Sequence, residues 1–394
     1  MDIPRHTNDT EDLSRLRGRQ IGIAFIVLAG IYSIGLTVGG EVGQILLAGL
    51  QTLPFALLAL LAYLGSKFNW AKTVTLLWLG LLVAGIGVII LGMVATPLVG
   101  ALTAGSDIVP ALPSNIALHL GVISIGSFLA AALGALGFVP IVRQRLSAYI
   151  PIEPSSFVQT IALVTIVALT LLCFLPLLVI GEPILLSVIN DAMDRGLEPT
   201  GARSDAGLLL DTLYGLIWVI PGALIAVGCG VSRNLREALE RIGLVRPSWR
   251  QVIAGLGVAV ALVLSVQIIG VGIDWLWGLM NWPRTDSAAF EELLSFALNP
   301  LGAVVIGVTA GLGEELAIRG VLQPRLGILL SNLFFTSLHA FQYNWDALLV
   351  VFLVGVICGL VRRRSNTSTA AIVHGTYNFL LIILAVLNVP GFGQ

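Results

Sequence analysis

The chain has 394 residues, 57% of them hydrophobic and 11% charged, with a formal net charge of −1 and a mean hydropathy of +0.97. A soluble globular domain carries about 25% charged residues, so an ordinary soluble enzyme is excluded, and the near-neutral charge leaves no footprint for nucleic acid. Apolar runs of about 20 residues recur along the chain and predict an all-α protein, a polytopic transmembrane helical bundle.

Residues 1–20 are polar and arginine-rich and predict a cytoplasmic tail. The apolar run that follows is span-length and lacks a small-residue cleavage site near its end, which predicts an uncleaved first helix. About eleven spans are expected, at 21–40, 45–65, 74–98, 116–140, 157–180, 207–230, 251–273, 293–312, 326–341, 346–361 and 369–388. The run at 326–341 is short for a crossing and is expected either to join the polar helix before it or to re-enter the membrane. The loop 181–206 carries Glu182, Asp191, Asp194, Glu198 and Asp205 and reads as solvated rather than metal-binding. Ser232–Arg250 places Arg233, Arg236, Glu237, Glu240 and Arg241 at helical spacing and predicts an amphipathic connector. It marks a boundary between a multi-span region of unassigned role (21–245) and a functional unit (246–394). Cys173, Cys229 and Cys358 all lie in apolar runs, the pattern of buried structural thiols rather than disulfides or a thiolate zinc site.

Charge placement tests this topology. With the N-terminus in the cytoplasm and spans alternating, 18 of the 21 basic residues fall on the cytoplasmic side, and only Arg195, Arg203 and Arg284 fall outside. That asymmetry is what the positive-inside rule requires.

One stretch, Gly313–Gly320, sets two carboxylates and an arginine inside an apolar region. A central charged residue costs roughly 2.5–3.5 kcal/mol to insert, so three unpaired ones would cost on the order of 9 kcal/mol. Glu315 and Arg319 are four apart with the acid N-terminal, the favoured order for a same-face ion pair. Glu314 points about 100° away from Glu315, so one carboxylate can be neutralised while the other is left for chemistry. A solvated juxtamembrane loop is the bland alternative for this stretch alone. Phe335 and His339 share a face at i, i+4, and so do His374 and Asn378. Each histidine alone reads as readily as a structural hydrogen-bonder. His119 reads as an isolated structural residue. Together, glutamate and histidine can activate a water, and a histidine with an asparagine can stabilise the oxyanion formed when water attacks an amide. Gly311, Gly313 and Gly320 suit close helix approach beside such a site.

Glu314-Glu315-x-x-x-Arg319, Phe335-x-x-x-His339 and His374-x-x-x-Asn378 resemble the three-motif signature of the CPBP family. These are the CAAX-protease and bacteriocin-processing intramembrane proteases, which include the type II CAAX prenyl endopeptidases. The resemblance covers about residues 250–394 and is absent from roughly the first 240. It implies that Glu314 and His339 activate the attacking water, that His374 and Asn378 form the oxyanion hole, and that Glu315, Arg319 and Phe335 support the site. Ile318 departs from the aromatic residue that members often carry before the arginine.

The expected function is an intramembrane endopeptidase cutting a membrane-associated peptide or protein near the cytoplasmic face of a prokaryotic cell membrane. The alternative is a non-proteolytic scaffold, immunity or transport protein on the same fold. No cofactor is the favoured expectation. A divalent metal such as zinc, held by Glu314, His339 and His374, is the alternative, although no His-Glu-x-x-His element is present.

Overall fold

The computed structural model describes residues 30–96, 115–194 and 204–389. The expected tail, most of the first span, and Arg195, Glu198 and Arg203 lie outside them. Helical residues 30–38 are followed by α1 (Gly40–Ala48), α2 (Leu53–Gly65), α3 (Asn69–Val94), α4 (Ile116–Ala135), α5 (Pro140–Leu146) and α6 (Phe157–Ile180). Then come α7 (Ile184–Asp194), α8 (Asp205–Ala226), α9 (Leu235–Ile242), α10 (Trp249–Met280) and α11 (Ser287–Leu294). The C-terminal set is α12 (Pro300–Thr309), a widened continuation through Leu322, α13 (Gln323–Leu338), α14 (Trp345–Arg364) and α15 (Thr367–Val386). No β-strand occurs among the described residues.

The protein is a multi-pass integral membrane bundle, and the count of eleven spans is not confirmed among the described residues. Eight described helices are long and apolar enough to cross a membrane, and nine if the bent pair formed by Gly40–Gln51 and α2 is one span. One of the eight, Pro300–Phe341, is 42 residues long. It cannot be straight. The Arg319 guanidinium lies 5.0 Å from the centre of the Phe335 ring, whereas sixteen residues of straight helix would separate them by about 24 Å. The chain turns back at Gly327, whose φ of 76° no ordinary helical residue adopts. The short run 326–341 is therefore the returning arm of a hairpin.

Two ends of the bundle are distinguishable. At one end Lys67 Nζ donates to Val231 O (2.8 Å), Thr367 N donates to Gly243 O (3.1 Å) and Gly327 packs beside Ile150 and Pro151. At the other, Asn344 Nδ2 donates to Gly181 O (3.3 Å), Asn190 Nδ2 to Asp286 (3.1 Å) and Thr285 Oγ1 to Asp346 (2.7 Å). Among the described residues every lysine and arginine except Arg284 and the interior Arg319 belongs to the first end. That end also carries α9, held by a reciprocal Asn234–Glu237 cap and an Arg236–Glu240 pair at 3.0 Å, as the charge spacing predicts. The acidic loop 181–206 is not simply solvated. It contains α7, whose Leu186 and Ile189 bury against Ala289 of α11.

Close backbone packing positions the C-terminal helices. A Cβ at Gly311 would lie 2.6 Å from Ala371 O, and one at Gly307 would lie 2.8 Å from Gly375 O. Only glycine permits this approach of the α12 strand of chain to α15. Gly320 similarly abuts Ile242 O at 3.2 Å, but Gly313 meets only Leu216 at an ordinary 3.7 Å. On the far side, α6 joins the first helices to the hairpin: its Leu163 and Ile166 share a core with Leu326. Cys173 and Cys358 are buried free thiols, while Cys229 is only half-buried, in the turn after α8.

Candidate active site

Ala310–Glu314 and Leu316–Leu322 are π-helical, with Glu315 between them. π-Helical turns are uncommon and cluster at functional sites because they re-aim side chains. Here the widened coil coincides with the glycine contact against α15. It turns Glu315 and Arg319 into the protein: their side chains are 0% and 1% exposed, with Arg319 Nε 3.3 Å from Glu315 Oε2. Arg319 Nη2 donates to Gly355 O on α14 (2.9 Å). A charge buried this deeply persists only when paired and hydrogen-bonded; the pair is in place and Nη2 is hydrogen-bonded, while Arg319 Nε, Arg319 Nη1 and Glu315 Oε2 have no hydrogen-bond partner among the described residues.

Glu315 has a second partner. His374 Nδ1 lies 3.0 Å from Glu315 Oε1. A carboxylate accepts, so Nδ1–H donates, and Nε2 is left facing Glu314, whose Oε2 is 3.9 Å away. Glu314 differs from its neighbour in exposure and in having no arginine partner. Its side chain is 39% exposed, and Oε2 has no hydrogen-bond partner among the described residues.

His339 stands at the end of α13, where carbonyls lose their helical donors. Its Nδ1 lies 3.0 Å from Phe335 O. A carbonyl only accepts, which fixes the Nδ1–H tautomer and leaves Nε2 with a lone pair. The Phe335 ring wedges between the parts: its centre is 4.7 Å from the His339 ring, 5.9 Å from His374 and 5.0 Å from the Arg319 guanidinium. Asn378, one turn beyond His374, is half-buried and makes no hydrogen bond to a described residue.

Glu314, Phe335, His339, His374 and Asn378 all line one cavity of about 880 Å³. Its long walls are apolar, from Val350, Val354, Leu381 and Ala385. Its far end is formed by Ser287, Glu291, Gln342 and Asn388, of which Ser287, Glu291 and Asn388 are solvent-exposed. These residues belong to the end opposite the arginine-rich loops. Cleavage near the cytoplasmic face would suit a mouth on the arginine side. The cavity's exposed polar lining lies at the other end, while Gly307 and Gly311 hold α12 and the coil after it against Gly375 and Ala371 of α15.

Residues 296–380 match the model of the family described as Type II CAAX prenyl endopeptidase Rce1-like. That segment is similar to the family. The matched segment holds all three motifs, from the glutamate pair to Asn378, and the similarity points to an intramembrane endopeptidase. Searches of the curated proteins and of the solved structures returned no match to the chain.

The site also contains groups that the motifs do not include. Tyr343 stacks on His339 (6.0 Å, 9° between planes) and lines the cavity. Burial pushes its phenol above the ordinary range, so the hydroxyl stays protonated. Its position four residues after His339 was the available signal. The Gly355 carbonyl that fixes Arg319 and the Gly307–Gly375 contact have no side-chain signature at all.

A metal finds no suited donor set here. Among the described residues, the three donor atoms that come within 4.8 Å of one another are those of Glu315, Cys358 and His374. Both Glu315 oxygens already face Arg319 or His374, and a divalent cation there would meet the guanidinium charge. Glu314, His339 and His374 do not gather three donors within that distance.

Proposed function

We propose that the chain is an intramembrane endopeptidase that hydrolyses a peptide bond with a water activated by Glu314 and His339, and that His374 and Asn378 stabilise the oxyanion. The observation that carries this reading is the single cavity lined by all four side chains. Glu314 is the open carboxylate of its pair, and it accepts the proton as the water attacks the amide carbon. His339 Nε2, its lone pair fixed by the Phe335 carbonyl, orients the same water. The carbonyl oxygen gains the negative charge. It receives hydrogen bonds from the Asn378 amide and from His374 Nε2 in the imidazolium form, whose charge the flanking carboxylates balance. Glu314 then passes its proton to the leaving amine. No metal enters these steps.

In this reading residues 246–394 form the proteolytic unit, and 21–245 brace it through α6 and α8. The chain sits in a prokaryotic cell membrane with its N-terminus in the cytoplasm, as the arginine asymmetry argues. Cleavage lies within the bilayer, nearer the arginine-rich end: His374 is seven residues into α15, about 10 Å along a helix about 30 Å long. The substrate reaches it from the arginine-poor end, through the mouth lined by Glu291 and Gln342, so the scissile segment is presented from the non-cytoplasmic side rather than from the cytoplasm.

The test is cleavage of membrane-protein substrates by the purified chain and by its Glu314→Ala and His339→Ala variants. The expected result is loss of about 10²–10⁴ in rate for each variant, with a chelator leaving the wild-type rate unchanged. Full activity in either variant overturns the water-activating roles. A phenotype complemented by Glu314→Ala would instead indicate a scaffold or immunity protein.

A further inference from the structure

Apart from the cavity, the arginine-rich end holds a second group of charges that the proteolytic reading does not use. Tyr63, at the end of α2, is buried, at 8% exposed. Its hydroxyl oxygen accepts from Arg325 Nη2 (2.5 Å) and from Arg233 Nη1 (3.2 Å). Arg325 also donates to Val321 O and Ala226 O, and Arg233 to Val227 O. Arg241, on α9, reaches Gly320 O at 3.4 Å. Burial first, and then the positive charges of Arg325 and Arg233, push Arg241 down to about 10. Arg362, at the end of α14, adds its charge to the same group, and its Nε is buried without a partner among the described residues. Lys67 stands at the rim.

Four guanidiniums and an ammonium thus converge with no carboxylate ion-paired to any of them among the described residues. Glu240 pairs with Arg236, and Glu237 caps α9. Tyr63 makes the imbalance specific. Both its lone pairs serve arginines, so its hydroxyl hydrogen points to no acceptor among the described residues, although the residue is more than nine-tenths buried. The arrangement is built tightly: a Cβ at Gly228 would lie 2.7 Å from the Tyr63 ring, and Gly228 takes a φ of 89°. Arg233, Arg241 and Arg362 are half-buried and reachable, and Arg325 lies beneath them. Exposed Trp249 and Tyr149 on the same end mark the level of the lipid headgroups.

We propose that Tyr63, Arg233, Arg241 and Arg325, with Lys67 and Arg362 at the rim, form a binding site for a phosphate group, supplied by the headgroup of an anionic phospholipid in the arginine-side leaflet. Guanidiniums bind phosphate through paired N–H donors, and basic pockets between spans on the cytoplasmic side are suited to anionic headgroups. The Tyr63 hydroxyl supplies a directed donor that a diffuse positive patch would lack.

The experiment is thermal unfolding of the full chain in neutral detergent, titrated separately with phosphatidylglycerol, phosphatidylcholine and inorganic phosphate. The expected result is a saturable rise in Tm with phosphatidylglycerol and none with phosphatidylcholine. Tyr63→Phe and Arg233→Gln should each weaken the apparent affinity about tenfold, as loss of one charge-assisted hydrogen bond implies. Arg246→Gln, an exposed arginine outside the group, should leave it unchanged. A rise of equal size with inorganic phosphate, lost in the same two variants, keeps the site and assigns it a soluble phosphate. An equal response of wild type, Tyr63→Phe and Arg233→Gln to phosphatidylglycerol, or no response of the wild type, overturns the proposal.

Discussion

His374 Nδ1 lies 3.0 Å from Glu315 Oε1, while Arg319 Nε lies 3.3 Å from the other oxygen, Oε2. The second carboxylate of the pair is thus held on both sides inside the protein, and the first is left open to the cavity. The two adjacent glutamates should separate cleanly by measurement. Glu315→Gln strands the Arg319 charge, and removing one partner of a buried pair costs about 3–5 kcal/mol. Glu314→Gln, at a cavity surface, should stay within about 0.5 kcal/mol of wild type. Thermal unfolding in detergent compares them, and equal Tm losses would contradict the division of roles.

The glycine contact between α12 and α15 makes a second prediction. Gly311→Ala pushes a methyl group to 2.6 Å from the Ala371 carbonyl. Overpacking of this kind costs about 1–3 kcal/mol, and it separates Glu315 from His374, so activity should fall with stability. Gly257→Ala meets open space in α10 and should be neutral or slightly stabilising. Parallel unfolding and activity measurements distinguish the two sites.

Tyr343 positions His339 through its ring. Tyr343→Phe keeps that stack and should keep most activity, whereas Tyr343→Ala releases the imidazole and should cost about tenfold or more. Because burial holds the phenol protonated well beyond neutral pH, Tyr343 contributes no ionisation near neutrality. The pH profile of Tyr343→Phe should therefore superimpose on that of wild type in shape. A displaced alkaline limb would show that the hydroxyl titrates in the working range.

Sidedness is directly measurable. Single cysteines replacing Glu291, at the cavity mouth, and Arg246, at the arginine-rich end, should react with a membrane-impermeant maleimide from opposite sides of sealed vesicles. Labelling of both from one side would contradict the two-ended arrangement.

Much of this was legible in the residues. The alternation of apolar runs gave the helical membrane class, and the spacing of Glu315 and Arg319 gave their pairing, because i, i+4 neighbours meet on any helix close to 3.6 residues per turn. The meeting of Glu314, His339, His374 and Asn378 at one cavity followed from shared chemistry rather than from periodicity. Other features had no local signal. The π-helical stretch at 310–322 arises from the backbone contact with α15, and helix type cannot be read where glycines and apolar residues fit either coil. The shortness of the run 326–341 signalled that it does not cross the membrane as an ordinary span, but nothing local placed the fold-back at Gly327. Which end holds the exposed polar lining of the cavity depends on how the C-terminal helices pack, a tertiary property, so charge asymmetry could orient the bundle but could not say which end holds the mouth.

The most direct measurement is a comparison of membrane-protein termini in a strain lacking this chain, complemented either by wild type or by Glu314→Ala. The account predicts that wild type restores a discrete set of cleaved termini and that Glu314→Ala, present at normal abundance in the membrane, restores none of them. Restoration of the same termini by Glu314→Ala would contradict it.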